Sequence, residues 1–124
     1  MPIFDCFNTA YKHPFGAIRR GQPSIFNIRL PKCFNVSGLT LVMFRPGYKE
    51  RFIELVLQDE SSEDNIFTCV FTPNNLGVHQ YYFTGVIDGR RRYIKRTGAN
   101  IGVFEGEELF QLTVFDENLY TPDF

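Results

Sequence analysis

Two short acidic stretches hold the side chains best suited to acid/base chemistry. Glu60, Glu63 and Asp64 lie in one; Glu105, Glu107 and Glu108 lie in the other. Two carboxyls set across a scissile bond can serve as acid and base, or as acid and nucleophile. Both sets sit among Ser, Gly and other polar residues. The residues therefore read as solvated loops rather than as a catalytic pair. His13 and His79 are the only histidines, and no third ligand is spaced to join them. A metal site and a metal cofactor are not expected. Ser24, Ser37, Ser61 and Ser62 lack a Gly-x-Ser-x-Gly setting, so nucleophilic catalysis has no support. Gly98, Gly102 and Gly106 repeat at intervals of four. They lack the Lys-Ser/Thr and the following helix of a phosphate loop, and read as a mobile loop between strands.

Arg90-Arg-Arg-Tyr-Ile-Lys-Arg96 is the densest charge run. Five cations and a ring superficially suit a phosphate backbone. The run follows a hairpin signal, however, so alternation splits its side chains between two faces. Nucleic acid is therefore not expected as a partner. Binding a sugar would need exposed rings to stack on pyranose faces. Tyr11, Tyr48, Tyr82 and Tyr93 are the candidates for exposure. Tyr48, Tyr82 and Tyr93 are the candidate carbohydrate-binding residues. Tyr82 has the parity opposite to Tyr81 and Phe83, which points it outward.

These residues must be held by strands. Phe26, Ile28 and Leu30 alternate within 24–30, and Phe67, Cys69 and Phe71 within 66–71. Leu39–Phe44 is almost continuously apolar, as in a strand covered on both faces. Within 52–58, Ile53, Leu55 and Leu57 share one face and Glu54 the other. Val78–Ile87 is a long aromatic strand, and Asp88-Gly89 marks a type I′ hairpin into Arg91–Lys95. Phe110, Leu112 and Val114 form the last alternation. The gaps carry Pro, Gly, Asn and Asp. No helical period reaches three turns. The expected fold is all-β, an antiparallel sandwich of about seven strands, with a barrel as the alternative.

The chain of 124 residues fits one domain. Its 14 Phe and absence of Trp imply a core built largely from phenyl rings. A net charge of −1 steers it toward neither nucleic acid nor an anionic membrane. Cys6, Cys33 and Cys69 are odd in number and widely spaced, which suggests free, buried thiols in a reducing cytoplasm. The N-terminus lacks a signal pattern, and no window has the length of a membrane helix.

The final stretch, Phe110-Gln-Leu-Thr-Val-Phe-Asp-Glu-Asn-Leu-Tyr-Thr-Pro-Asp-Phe124, is a strand followed by a stiff exit, because Thr121-Pro122 favours extended backbone. It resembles the "FQLTVY…TPxW" junction of the alpha-amylase superfamily of glycoside hydrolases (family 13, neopullulanase and maltogenic-amylase type). Pro14-Phe-Gly-Ala17 before Arg19-Arg-Gly-Gln-Pro23 resembles the family's "PFGA" opening. Asn75-Leu-Gly-Val-His-Gln-Tyr-Tyr-Phe83 resembles its "GLYxYxF" strand, with Tyr81 and Phe83 pointing inward. Phe124 stands where the family usually has Trp, and Val78 where it often has Leu.

The resemblance implies an immunoglobulin-like sandwich in front of a (β/α)8 barrel. That barrel carries the catalytic Asp, Glu and Asp and cleaves α-glucosidic bonds in starch, pullulan or maltodextrins. None of the barrel's signatures occurs here, so no catalytic residue is assigned. On this reading 1–13 is an N-terminal extension, 14–115 the sandwich and 116–124 the start of a linker. The partner is the catalytic barrel of the same polypeptide, with Leu119, Tyr120 and Phe124 buried between the domains. An α-glucan oligosaccharide and a second copy of the enzyme are further candidate partners. Independent α-glucan binding, or an interaction role unrelated to glycans, are the alternatives.

Overall fold

The long aromatic alternation Gly77–Ile87 forms the central strand of the larger of two sheets. The computed structural model describes residues 4–5, 11–13, 17–60, 63–97 and 101–115. In chain order the strands are β1 (Phe4–Asp5), β2 (Lys12–His13), β3 (Ile18–Arg19), β4 (Ser24–Pro31), β5 (Val36–Phe44) and β6 (Arg51–Glu54). They continue as β7 (Val56–Glu60), β8 (Asp64–Phe71), β9 (Gly77–Ile87), β10 (Arg90–Thr97), β11 (Ile101–Phe104) and β12 (Phe110–Phe115). The smaller sheet has the order β2-β4-β8-β7. In the larger, β9 carries β5 along one edge, with β6 outside it. Along its other edge β9 pairs with β10 near its C-terminal end and with β12 near its N-terminal end. Strand β3 lies parallel to β12. This is an all-β immunoglobulin-like sandwich: A-B-E-D strands face C′-C-F-G strands, and the β10–β11 hairpin interrupts the last of them.

The apolar alternations supply the two inner faces. Strand β4 buries Ser24, Phe26, Ile28 and Leu30 and exposes Ile25 and Pro31. It pairs with β8 from Ser24↔Phe71 to Pro31↔Asp64, which sets Phe26 beside Cys69. Strand β9 sends Tyr81 and Phe83 inward, both fully buried. Strand β12 sends Phe110, Leu112 and Val114 the same way. The rings of Phe4, Phe26, Tyr81, Phe83 and Phe110 meet between the sheets. Phe4 lies 4.9 Å from Phe83 and 5.0 Å from Phe110, and Tyr81 lies 5.3 Å from Phe26. Edge-on and tilted rings at these spacings add attraction beyond their buried area.

The Asp88-Gly89 turn is as expected. Its φ values are 54° and 79°, the positive pair that a type I′ turn requires. The Asp88 N–H donates to the Asn35 carbonyl, and the Asn35 N–H donates to Asp88 Oδ1, both at 2.8 Å. The turn is thereby tied to the approach to β5.

Four expectations are corrected. The segment 52–58 is not one strand. Its chain changes sheets at Leu55, which is buried and donates its N–H to the Leu39 carbonyl at 2.8 Å. Leu57 lies beyond that crossing on an edge strand and is 48% exposed. A residue at a sheet crossing needs burial just as a core residue does, so the alternation ran unbroken through the change. Gly102 is not in a mobile loop but in β11, and it is buried. An added Cβ there would meet Phe110, Phe4 and Ile94 at 3.1–3.2 Å, so the glycine lets β11 close over the core. Tyr11 is buried, its ring edge-on to Phe4 at 6.5 Å. Cys33 is exposed in the turn after β4, whereas Cys69 is buried; burial pushes the Cys69 thiol up to about 12. Cys6 lies outside the described residues.

Truncating the ring cluster should separate the two faces of β9. Phe83→Ala is expected to cost about 3–5 kcal/mol, since a removed ring leaves a cavity in a packed core. Tyr82→Ala, on the outer face, should cost distinctly less in urea melts of the same protein. Equal losses would mean that both faces of β9 carry comparable packing. Gly85→Ala should also unfold the chain readily, because its Cβ would collide with the Gly38 carbonyl oxygen at the bulge in β5.

Candidate functional site

The basic run and the second acidic stretch turn out to be partners. Hairpin β10–β11 brings Arg92 Nε to Glu105 Oε1 at 2.8 Å, and the same guanidinium lies 4.3 Å from the Phe104 ring centroid. Arg96 pairs with Glu108 and also donates Nε–H to the Leu109 carbonyl at 3.2 Å. The Arg92 hydrogen bond holds the Glu105 carboxyl below its ordinary value. Asp64 is 3.6 Å from Arg29. Glu63 and Glu107 are exposed, and the Glu60 side chain lies outside the described residues. Held ionised by its guanidinium partner, Glu105 is a poor proton donor. The arrangement is structural pairing, not an acid/base couple. Among the described residues no three His, Cys, Asp or Glu side chains gather to hold a metal. No helix among them is long and apolar enough to cross a membrane. Ser24 is buried and Ser37 exposed. His13 is exposed on the edge strand β2.

Tyr82 and Tyr93 come together on the outer face of the larger sheet. Their ring centroids are 6.2 Å apart at 50°. Lys95 Nζ lies 5.4 Å from the Tyr82 ring and 5.7 Å from the Tyr93 ring. Across the sheet, Tyr82 is in register with Val42, and Val42 with Phe52. Val42 is buried although it faces outward, while Phe52 is 67% exposed. Burial, then the charge of Glu50, raises the Tyr82 hydroxyl's pKa. The result is an aromatic platform with a cation on it.

Tyr48 does not join that platform. It sits in the turn between β5 and β6, 63% exposed, with the Arg45 guanidinium 3.9 Å from its ring centroid. There it helps line a half-open pocket of about 80 Å³ between the β5–β6 and β8–β9 connections. Arg45, Lys49, Arg51, Asn74, Asn75 and His79 supply its polar groups. Arg45 Nη1 donates to the Leu76 carbonyl at 3.4 Å, and Arg51 lies 5.2 Å from the Phe71 ring. His79 is buried, its ring edge toward Phe71 at 6.3 Å and its Nδ1 3.2 Å from the Gly77 carbonyl oxygen. Desolvation lowers the His79 pKa foremost, and the charges of Arg45 and Arg51 push the same way. The sequence does not reveal this pocket: Arg45-Pro-Gly47 carries only turn chemistry, and the two connections are far apart in the chain. The candidate docking residues Leu119, Tyr120 and Phe124 lie outside the described residues.

The lowered His79 pKa has a stability consequence. The folded state binds this proton less readily than the unfolded chain, whose histidine titrates near 6.5. The contribution is therefore complete above about pH 6.5 and lost as pH falls through the lower folded value. Urea midpoints should drop between about pH 7.5 and 5.5, and His79→Gln should remove part of that slope. Identical slopes in the two proteins would show that His79 protonates as easily folded as unfolded.

No family model matches the chain, and neither does any curated protein sequence. Solved structures do. A cyclomaltodextrinase matches with a TM-score of 0.59 at 13% identity, covering 76% of this chain and 16% of its own. The type III pullulan hydrolase from Thermococcus kodakarensis matches with a TM-score of 0.59 at 15% identity, covering 87% of this chain and 17% of its own. This chain thus spans about a sixth of the length of each, and it shares its fold with a small part of two much longer enzymes.

Proposed function

We propose that this chain is the non-catalytic N-terminal domain of a starch- or maltodextrin-degrading glycoside hydrolase of the alpha-amylase superfamily. It docks on the catalytic barrel of the same polypeptide, stabilises it and shapes substrate access; the parent enzyme is cytoplasmic and offers this domain as a homodimer contact. The observation that carries the reading is the asymmetry of the match: 76% and 87% of this chain correspond to 16% and 17% of two hydrolases. The order of the Pro14, Gly77 and Phe110 motifs along the chain supports it independently. So do the carboxylates Asp64, Glu105 and Glu108, which are occupied by arginines rather than poised as a catalytic pair.

A second reading rests on the Tyr82–Tyr93 platform. Two rings 6.2 Å apart on an outer sheet face offer the stacking surface that an α-glucan would need, which makes this a carbohydrate-binding module in its own right.

The purified chain is expected to release no reducing sugar from starch, pullulan or maltodextrin, and turnover would overturn the non-catalytic assignment. Deleting the domain from the parent enzyme should lower the melting temperature of the remainder. Unchanged melting together with full activity on short maltodextrins would remove the docking role. Calorimetric titration with maltoheptaose decides the second reading: millimolar or tighter binding, lost in both Tyr82→Ala and Tyr93→Ala, would establish it.

A further inference from the structure

The pocket between the β5–β6 and β8–β9 connections is of a different chemical kind from the aromatic platform. Three cationic side chains, Arg45, Lys49 and Arg51, line it together with the carboxamides of Asn74 and Asn75. Among the described residues no carboxylate lines it, and none forms an ion pair with any of the three. Three other arginines do have carboxylate partners: Arg29 with Asp64, Arg92 with Glu105, Arg96 with Glu108. Glu50, which stands between Lys49 and Arg51 in sequence, acts on Tyr82, on the outer sheet face.

Like charges gathered without a counterion among the described residues repel one another, and the fold holds them in place. Arg45 is fixed on two sides, by the Tyr48 ring and the Leu76 carbonyl, and Arg51 lies against Phe71. Held guanidinium forks lose little freedom on binding and match the geometry of tetrahedral and planar oxyanions. The volume fixes the size of the occupant. About 80 Å³ has room for one small anionic group and falls well short of the ~300 Å³ lower end of pockets that enclose larger ligands.

We propose that this pocket is an oxyanion site that takes a phosphate group, free or as the monoester of a sugar. Arg45 and Arg51 supply the charge and the forked donors. Lys49 closes the open side, and Asn74 and Asn75 donate their amide N–H groups. His79 forms the floor. With Nδ1–H donating to the Gly77 carbonyl oxygen, its Nε2 is free to take up a proton and become a further donor toward the anion. The inference does not depend on the function proposed above, because it follows from charge, size and donor geometry alone.

The test uses the 124-residue chain at low ionic strength, titrated with inorganic phosphate, with glucose 6-phosphate and with uncharged maltose. Nuclear magnetic resonance of the His79 ring and the Asn74 and Asn75 side-chain amides reads the site without any mutation. Saturable shifts of these signals with either phosphate compound, and none with maltose, are expected. A stronger response to glucose 6-phosphate would identify the ester as the ligand, and an equal response would identify the free phosphate group. The His79 titration midpoint should move up when phosphate is bound, since the anion offsets Arg45 and Arg51. Arg51→Gln should weaken binding about tenfold or more, the usual effect of losing a hydrogen bond to a charged partner. Lys49→Gln, at an exposed position, provides a second variant should Arg51→Gln fail to fold. Shifts that do not saturate, or affinities unchanged in both variants, would overturn the proposal.

Discussion

The sandwich depends on one contact: five aromatic rings that meet between the sheets. Phe26 comes from the smaller sheet; Tyr81, Phe83 and Phe110 come from the larger; Phe4 comes from an edge strand that pairs with β11. A chain of this size with no disulfide among its described cysteines must take most of its stability from buried apolar area. Rings supply that area with few rotatable bonds, so little side-chain entropy is lost per unit of surface buried. Phe4 touches Phe26, Tyr81, Phe83 and Phe110 at once. The strand it sits on has just two residues, so this ring packing, more than the ladder, holds it there.

The interruption of the last strand follows from the same cluster. Ile94 is opposite Phe83 and Phe110 opposite Tyr81, so β10 hands over to β12 directly beside the rings. The chain between them leaves as a hairpin and needs its own support. It finds that support in charge: Arg92 with Glu105, Arg96 with Glu108, and the paired backbone bonds between Arg96 and Glu108. Exposed pairs of this kind stabilise little individually. Two on one hairpin, with a cation–ring contact to Phe104, favour the observed register of β10 against β11.

Much of this fold was legible because period-two alternation survives wherever one face is buried. Phe26/Ile28/Leu30, Tyr81/Phe83 and Phe110/Leu112/Val114 all point as their parity requires. The Asp88-Gly89 turn was legible because few residue pairs tolerate its backbone. Alternation is silent on which sheet a strand joins, so the crossing at Leu55 passed unnoticed. Nor does it reveal close approach: Gly102 looked like loop because its role is to leave space for Phe4, Ile94 and Phe110. Of the candidate rings, Tyr82 lies on the outer face that its parity indicates, whereas Tyr48 sits in a turn, where parity carries no information. The basic run and the acidic loop looked like separate features because their pairing spans 12 and 13 residues of sequence through a hairpin.

The polar pocket illustrates a more general limit. Its charges come from the β5–β6 turn and the start of β6, its amides from the β8–β9 connection and its histidine from β9. None of these segments carries a motif, and each alone reads as solvated turn chemistry. They converge because β5 and β9 are neighbours in antiparallel register, with Phe44 opposite Gln80. The turn leaving one strand therefore lies beside the loop entering the other. Strand β12 runs out at the same end: Val114 is opposite Gly77, and the Arg20 N–H donates to the Phe115 carbonyl at 2.9 Å. The concentration of positive charge, without a counterion among the described residues, is thus a product of topology, placed where the β5–β6 and β8–β9 connections meet. On the hairpin, by contrast, Arg92 and Arg96 are paired with carboxylates and Lys95 lies against two rings. Like charges held together without a counterion among the described residues are better explained by something they bind than by anything the fold itself requires.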